Sequence, residues 1–598
     1  MADLRLQRLS TWLPWLVGAF FLTLQARAMG DVLVGILPDN DDMLRLQQVR
    51  DLLTGQNWFN VDQSRFLTPE GGELHWSRLP DIFIGALVVL TRPFLGQAGA
   101  ESFALVAYPL ALLGCAFALV RLIAERLGAG LPGQIAAIIL FALSSAALNF
   151  LPGRIDHHNL VLVLILVGFA ALLSPKLSAR SGIVAAFSSV AAVSVAIESL
   201  PYAGALILSF GLFWIARGHA EGIRLAVFGL ALAVFAAVFY AFDAPGVGSR
   251  RMVCDAYGTS HFAAFIGGGL LLSGLGVVGG WLDGWGKRLV AGVFAGVLTL
   301  GLFVIVNPAC LGDPYAEVSE QVRVAWLSVV AEAMSLMAVW ENRPDSAAWQ
   351  FGFVIAGLVA AIFVISTATS NRRLPSVALG LLLVLSMLAT IWQIRGVYFS
   401  HAFAAIAGGV MLGALFSRRE REGDTTSIAL FVGAALFMSP TSWQMASRLV
   451  AKPQTAESRV TPDGDPYGIA CLDPVAYRAL GDVPKAKVLT PIDLGMSLLI
   501  QTDHGVYGGP YHRNILGIER VTRAFMSEPD DALEEIKAMG ATHVLYCAGS
   551  NETRRYARLA PGSFADDMEN GRVPDWLEPA DQAEGYDGVV RLYRFMAQ

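Results

Sequence analysis

The chain has 598 residues, of which 55% are hydrophobic and only 15% charged, with a mean hydropathy of +0.54. A soluble protein carries about 25% charged residues, so the composition excludes an ordinary soluble enzyme. The net charge of −6 excludes little, because acids and bases lie in different places; the basic residues are spread along membrane loops and form no nucleic-acid signature.

A helix needs about 20 mostly apolar residues to cross a bilayer, and Lys and Arg mark cytoplasmic loops. Arg5 and Arg8 place the N-terminus inside. The first apolar stretch, 12–34, contains Arg27 and lacks a small-residue cleavage site, so it reads as a retained membrane helix. A long polar segment, 36–80, follows outside. The apolar stretch 81–95 would invert everything after it if it crossed. It is read as a re-entrant or interfacial helix on the outer side. Helices at 101–120, 131–150 and 159–174 come next, with Arg121, Arg126, Lys176 and Arg180 inside. Further inner ends are marked by Arg217 and Arg224, Lys287 and Arg288, Arg372 and Arg373, and Arg418, Arg419 and Arg421. A second long outer loop covers 308–350, and a last helix, 427–440, exits. The count is about thirteen spans.

From 445 the composition becomes that of a soluble α/β domain, with strands expected at 488–490, 543–547 and 589–593 and a helix at 530–539. The expected division is therefore a membrane domain, 1–444, and a periplasmic domain, 445–598. Neither internal repeats nor the inverted symmetry of many transporters is visible. Of the five cysteines, Cys115 falls in an apolar run and is expected in the core. Cys254 with Cys310, and Cys471 with Cys547, are candidate disulfides in an oxidising compartment.

Ionisable residues at membrane depth cost about 2.5–3.5 kcal/mol each on insertion scales, so they need a reason. Here they gather at the outer ends of helices. Asp39-Asn40-Asp41-Asp42 precedes a helical stretch with Arg45, Arg50 and Asp51. Such carboxylates suit a hard divalent cation or a general base, and equally a solvated helix cap. Asp156-His157-His158 can hold a metal or cap the next helix. Asp313, Glu317, Glu320 and Arg323 occupy the second long loop. Arg395 is placed for a lipid phosphate or as an interfacial anchor, and Asp493 to Arg513 is rich in Gly and Tyr.

In this order the clusters resemble the GT-C membrane glycosyltransferases, most closely the single-chain catalytic subunit of oligosaccharyltransferases. The resemblance covers the whole chain and implies a polytopic α-helical membrane protein with a C-terminal soluble α/β domain. Asn40-Asp41 followed by Arg50-Asp51 matches the family's first-loop motif, which makes Asp41 the choice over Asp39 and Asp42. Asp156-His157-His158 matches the motif at the start of helix 4. Val318-Ser319-Glu320 resembles the loop motif that supplies a Glu, with Glu317 where other members have a hydroxyl, and Arg395 sits like the arginine that meets the lipid-linked phosphate.

The resemblance implies a divalent metal, Mg2+ or Mn2+, on Asp41, Asp156, His158 and Glu320. It also implies Asp41, Asp156 and Glu320 as catalytic residues, and Asp493, Tyr511, His512 and Arg513 on the acceptor side. One departure stands out. The family's Trp-Trp-Asp-x-Gly, which reads the acceptor's hydroxyl residue, is here Pro491-Ile492-Asp493-Leu494-Gly495. The donor half is kept and the sequon-reading half is altered, implying a polyprenyl-linked sugar donor and a different glycan, lipid or protein acceptor in a bacterial inner membrane. The competing classes are a transporter, a membrane phosphotransferase or hydrolase, and a non-catalytic scaffold. Transport sites usually lie at the midplane, whereas these charges cluster at one face.

Overall fold

The computed structural model describes residues 26–67, 72–176, 178–243, 252–312, 315, 318–451, 471, 473–580 and 589–596. The chain divides into two compact units. One takes Met1–Ala28, Trp76–Pro314 and Ala331–Lys452; the other takes Met29–His75, Tyr315–Val330 and Pro453–Gln598. The division differs from a single boundary near 445, because parts of both long loops fold with the C-terminal residues.

The first unit is helical. Among the described residues, eight helices are long and apolar enough to cross a membrane, or nine if the bent pair Thr425–Met438 and Pro440–Ser447 is one span. Three shorter apolar helices, Leu131–Ala142, His158–Leu172 and Ala179–Val195, complete the bundle. The protein is therefore a polytopic membrane protein. The first expected helix lies largely outside the described residues, which begin within it at Ala26–Val34.

Burial separates the helices by role. Most of the apolar window of Ile394–Glu422 is buried (83%), against 6% of that of Trp285–Val306, so the former is central and the latter is a lipid-facing surface. Small residues set the closest crossings: a Cβ on Gly229 would lie 2.4 Å from the Gly269 carbonyl oxygen, so His219–Phe242 and Thr259–Val278 pack backbone to backbone. Cys115, expected in the core, is exposed on its helix. An apolar run does not distinguish a helix face turned to lipid from one turned to protein.

The stretch 81–95 lies in Leu79–Arg126, which is interrupted at Gly96 (φ 69°, ψ 179°). Asp243 accepts hydrogen bonds from Ser77 Oγ (2.7 Å), Ser194 Oγ (2.7 Å) and the Arg78 amide (3.1 Å), tying the start of this stretch to the ends of two other helices. Beyond Gly96, the Leu105 carbonyl accepts from Gly153 N (2.9 Å), close to the Asp156 turn. Both flanks of 81–95 are thus hydrogen-bonded to the ends of other helices. Arg224, expected as an inner-loop charge, is instead buried within His219–Phe242, where it pairs with Glu221 at 2.9 Å and donates to the Leu172 carbonyl.

The second unit carries a five-stranded sheet. Its strands are β1 (Lys487–Leu489), β2 (Gly505–Val506), β3 (His543–Cys547), β4 (Leu577–Pro579) and β5 (Val590–Phe595), in the order β2-β1-β3-β5-β4. The pairs β1–β2 and β1–β3 are parallel, and β3–β5 and β4–β5 antiparallel. Three of these strands and the helix Pro529–Met539 fall, within a residue at their ends or two at the last strand's C-terminus, where the sequence leads one to expect them.

Two distant segments complete this unit. Phe66 forms a parallel bridge with Val506: Leu67 N donates to Val506 O (2.8 Å) and Val506 N to Arg65 O (2.9 Å), so the first loop satisfies an otherwise open sheet edge. Arg65 also donates to the Leu499 and Thr502 carbonyls. From the later loop, Val322, Ala325 and Trp326 enter the apolar core beside Ile518, Val521, Phe525 and Tyr556.

Each unit holds one disulfide, Cys254–Cys310 in the helical unit and Cys471–Cys547 in the sheet unit. The latter closes a separation of 76 residues. On the chain-entropy account such a loop contributes at most about 4.5 kcal/mol. Replacing both Cys471 and Cys547 with Ala should lower the melting temperature of the purified protein. A reductant should reproduce most of that shift in the wild type and less in the variant; an unshifted melt would deny the bridge a stabilising role.

Candidate active site: a carboxylate and imidazole cluster in the helical unit

Three helices begin at one place. Gly153 takes φ 88° in the turn after the 3-10 helix Ser145–Phe150, and Asp156-His157 then leads into His158–Leu172. Ala196 is extended (φ −155°, ψ 126°), which ends Ala179–Val195 and sets Glu198 in a short 3-10 turn before Leu200–Arg217. Arg395 lies in a 3-10 turn before Val397–Glu422, and the Ile394 amide donates to the Met334 carbonyl (2.8 Å). That bond brings Glu332, in the turn Ala331–Ala333, to the same place. Helix N-termini carry partial positive charge and favour carboxylates.

The side chains converge. His158 Nδ1 lies 2.6 Å from Glu198 Oε1, and His158 Nε2 lies 3.2 Å from Asp156 Oδ2 and 3.4 Å from Glu332 Oε2. His157 pairs with Asp156 through Nδ1, and its Nε2 stands 3.6 Å from Glu198 Oε1. Arg395 Nη1 approaches Glu198 Oε2 at 3.2 Å, while its Nε and Nη2 donate to Gln393 Oε1 at 2.9 and 2.6 Å. The rings of Trp76 and Tyr398 flank His157 and His158, with centroids 6.1 and 5.9 Å away. Burial works against ionisation of Asp156, yet the imidazoles of His157 and His158 hold its carboxyl well below the usual range. Glu332 is likewise held down by His158 against the effect of burial.

These residues fit a divalent cation. His158 Nε2 is buried and makes no aligned hydrogen bond, although two carboxylate oxygens face it. With the imidazoles neutral, as metal ligands must be, three carboxylates against the guanidinium groups of Arg395 and Arg154 leave an excess of one negative charge. An imidazole nitrogen with carboxylate oxygens is a donor set for Mg, Mn or Zn.

The structure thus brings together Asp156, His158 and Arg395, all singled out in the sequence, and adds Glu198 and Glu332. Among the described residues of the helical unit, Glu332 brings an acid of the long loop to His158. Glu320, expected as a ligand, belongs to the sheet unit, where its side chain is 82% exposed beside Arg323. Asp313 and Glu317 lie outside the described residues. Glu198 was visible as a charge at a helix end, but its partner His158 is 40 residues away, a pairing that no local pattern encodes.

The remaining expected residues are in the sheet unit. Asp41 occupies the first turn of Asn40–Leu53, its amide donating to the Asp39 side chain at 3.1 Å. Tyr511 Oη donates to the Asn40 carbonyl (3.1 Å), Arg513 pairs with Glu73 (3.0 Å), and the His512 ring packs on His75 with centroids 4.8 Å apart. In this structure, these three residues hold the first loop.

Asp493 is exposed, and buried Glu552 accepts from the amides of Ile492 (2.7 Å) and Asp493 (2.9 Å) and from the Tyr556 hydroxyl. Burial and the Asp493 carboxylate push Glu552 up to about 7. The folded value lies above that of an unfolded glutamate. Its stabilisation is therefore complete below the unfolded value and lost as pH rises through the folded one. The melting temperature should fall between about pH 5 and about pH 8, and Glu552→Gln should flatten that slope. An identical slope in both proteins would remove Glu552 as its cause.

Together the fold and the cluster define a polytopic membrane protein with carboxylates, imidazoles and a guanidinium gathered at helix ends. No family model and no curated protein matches the sequence. Among solved structures, the chain is similar to the oligosaccharyltransferase AglB of Archaeoglobus fulgidus in complex with an inhibitory peptide and a dolichol-phosphate. The TM-score is 0.64 at 15% identity, covering 92% of this chain and 72% of that one. It is similar to the enzyme from that organism tethered with an acceptor peptide containing the NVT sequon, with TM-score 0.65, 14% identity, and 93% and 72% coverage. The form in complex with Zn and sulfate gives TM-score 0.61 at 15% identity, with 92% and 70% coverage. At these identities the shared property is the fold.

Proposed function

We propose that this chain is a metal-dependent glycosyltransferase that moves a sugar or oligosaccharide from a polyprenyl-phosphate or polyprenyl-diphosphate donor to an acceptor on the periplasmic side of a bacterial inner membrane. The observation that carries the reading is the set of buried Asp156 and His158 with half-buried Glu332, joined to Arg395 through Glu198 at the ends of helices. Asp156, His158 and Glu332 would hold Mg2+ or Mn2+, which when bound supplies positive charge to a phosphate leaving group. Arg395 adds the second positive charge, and its planar fork suits a phosphate. The neighbours' bound dolichol-phosphate and acceptor peptide support a lipid-linked donor and a separate acceptor. Two disulfides support an oxidising compartment for the segments that carry them. The missing tryptophans before Asp493 favour an acceptor other than the Asn-x-Ser/Thr sequon.

The test uses purified full-length protein with lipids extracted from its host. Mass spectrometry should show a polyprenyl-linked sugar consumed in the presence of Mg2+ or Mn2+, and EDTA should stop its consumption. If folded protein with metal leaves every such lipid untouched, the transferase reading fails.

A further inference from the structure

Glu198 joins the two charged groups of the cluster. Its Oε1 lies 2.6 Å from His158 Nδ1 and its Oε2 lies 3.2 Å from Arg395 Nη1. A carboxylate accepts and does not donate, so the short contact places a proton on Nδ1. Nε2 is then the nitrogen turned toward Asp156 and Glu332. His157 Nε2 faces the same Glu198 oxygen from farther away, at 3.6 Å. The backbone supports this use of Glu198, because the extended Ala196 breaks the helix just ahead of it and the next helix starts just after it at Leu200, with Pro201 in its first turn.

We propose that Glu198 is a positioning residue that fixes His158 as the Nδ1–H tautomer with Nε2 toward the cation and, through its other oxygen, holds Arg395 beside it. This role rests on the metal site proposed above. A carboxylate behind a ligating histidine sets its tautomer and raises its basicity, and losing such a partner typically costs about 10–100-fold in metal affinity. A phosphate arriving at Arg395 would compete with Glu198 for the guanidinium while leaving the His158 contact in place.

The experiment is Mn2+ binding to full-length protein in detergent, followed by electron paramagnetic resonance, with the nitrogen modulation of a coordinated imidazole as the second readout. Wild type should bind one Mn2+ with a nitrogen signal, and Asp156→Asn should lose it. Glu198→Ala should bind about 10–100-fold more weakly, with the nitrogen modulation lost or reduced. Glu198→Gln, whose amide oxygen still accepts from Nδ1, should keep the nitrogen signal at intermediate affinity. It also carries the test if the alanine variant does not fold. Wild-type affinity and nitrogen signal in the folded Glu198 variants overturn the role of Glu198 and leave the metal site standing. Wild type that binds no Mn2+ sinks the metal site itself, and the positioning role with it.

Discussion

Asp156→Asn is expected to reduce sugar transfer by about 10³-fold or more, which corresponds to about 4 kcal/mol of lost transition-state stabilisation. The carboxylate is 3% exposed, is paired with His157 and lies 3.2 Å from His158 Nε2. Replacing it removes both a ligand oxygen and the negative charge beside His157 and His158, while changing the shape little. In the host, the lipid-linked sugar should accumulate at matched protein level, and mass spectrometry of membrane lipids would identify the donor at the same time. Glu332→Gln should share much of this loss, because Glu332 also faces His158. Glu320→Gln should stay within about threefold of wild type, as its side chain is largely solvated and exposed charges contribute little. An unchanged lipid profile in Asp156→Asn, with the protein folded, would reduce Asp156 to a helix-terminal residue and return the transporter and scaffold readings to the front.

The second large effect is expected far from the cluster. Trp326→Ala should destabilise the sheet unit by about 3–5 kcal/mol, the usual cost of deleting a large buried aromatic. Trp326 is 6% exposed and packs in the core that holds Ile518, Phe525 and Tyr556. Amide exchange should accelerate in β3 and β5, although neither strand is near residue 326 in sequence. By contrast Trp340, 46% exposed, should tolerate Ala with little change. Equal exchange in wild type and Trp326→Ala would mean that 315–330 is a surface loop, and that the sheet unit is built without it.

Solvent and period alone dictate several features, and these are legible in the chain. Apolar runs near bilayer thickness identify most of the membrane helices, because lipid leaves few backbone alternatives. The short apolar runs at 543–547 and 589–593 and the stretch 530–539 read as two strands and a helix of the sheet unit. Asp156-His157-His158 and Arg395 could be singled out because charges beside apolar runs are costly enough to demand a purpose.

Other features depend on contacts between residues remote in the chain, for which neither period nor composition carries information. The face of the helix on which Cys115 falls, the addition of Phe66 to the edge of β2 and the burial of Trp326 in the core with Phe525 are of this kind. So is the meeting of His158 with Glu332, whose turn is tied to that of Arg395 by the bond from Ile394 N to Met334 O. Glu198 became part of the cluster for the same reason: two helix ends meet there, and only the packing of the bundle decides which ends meet.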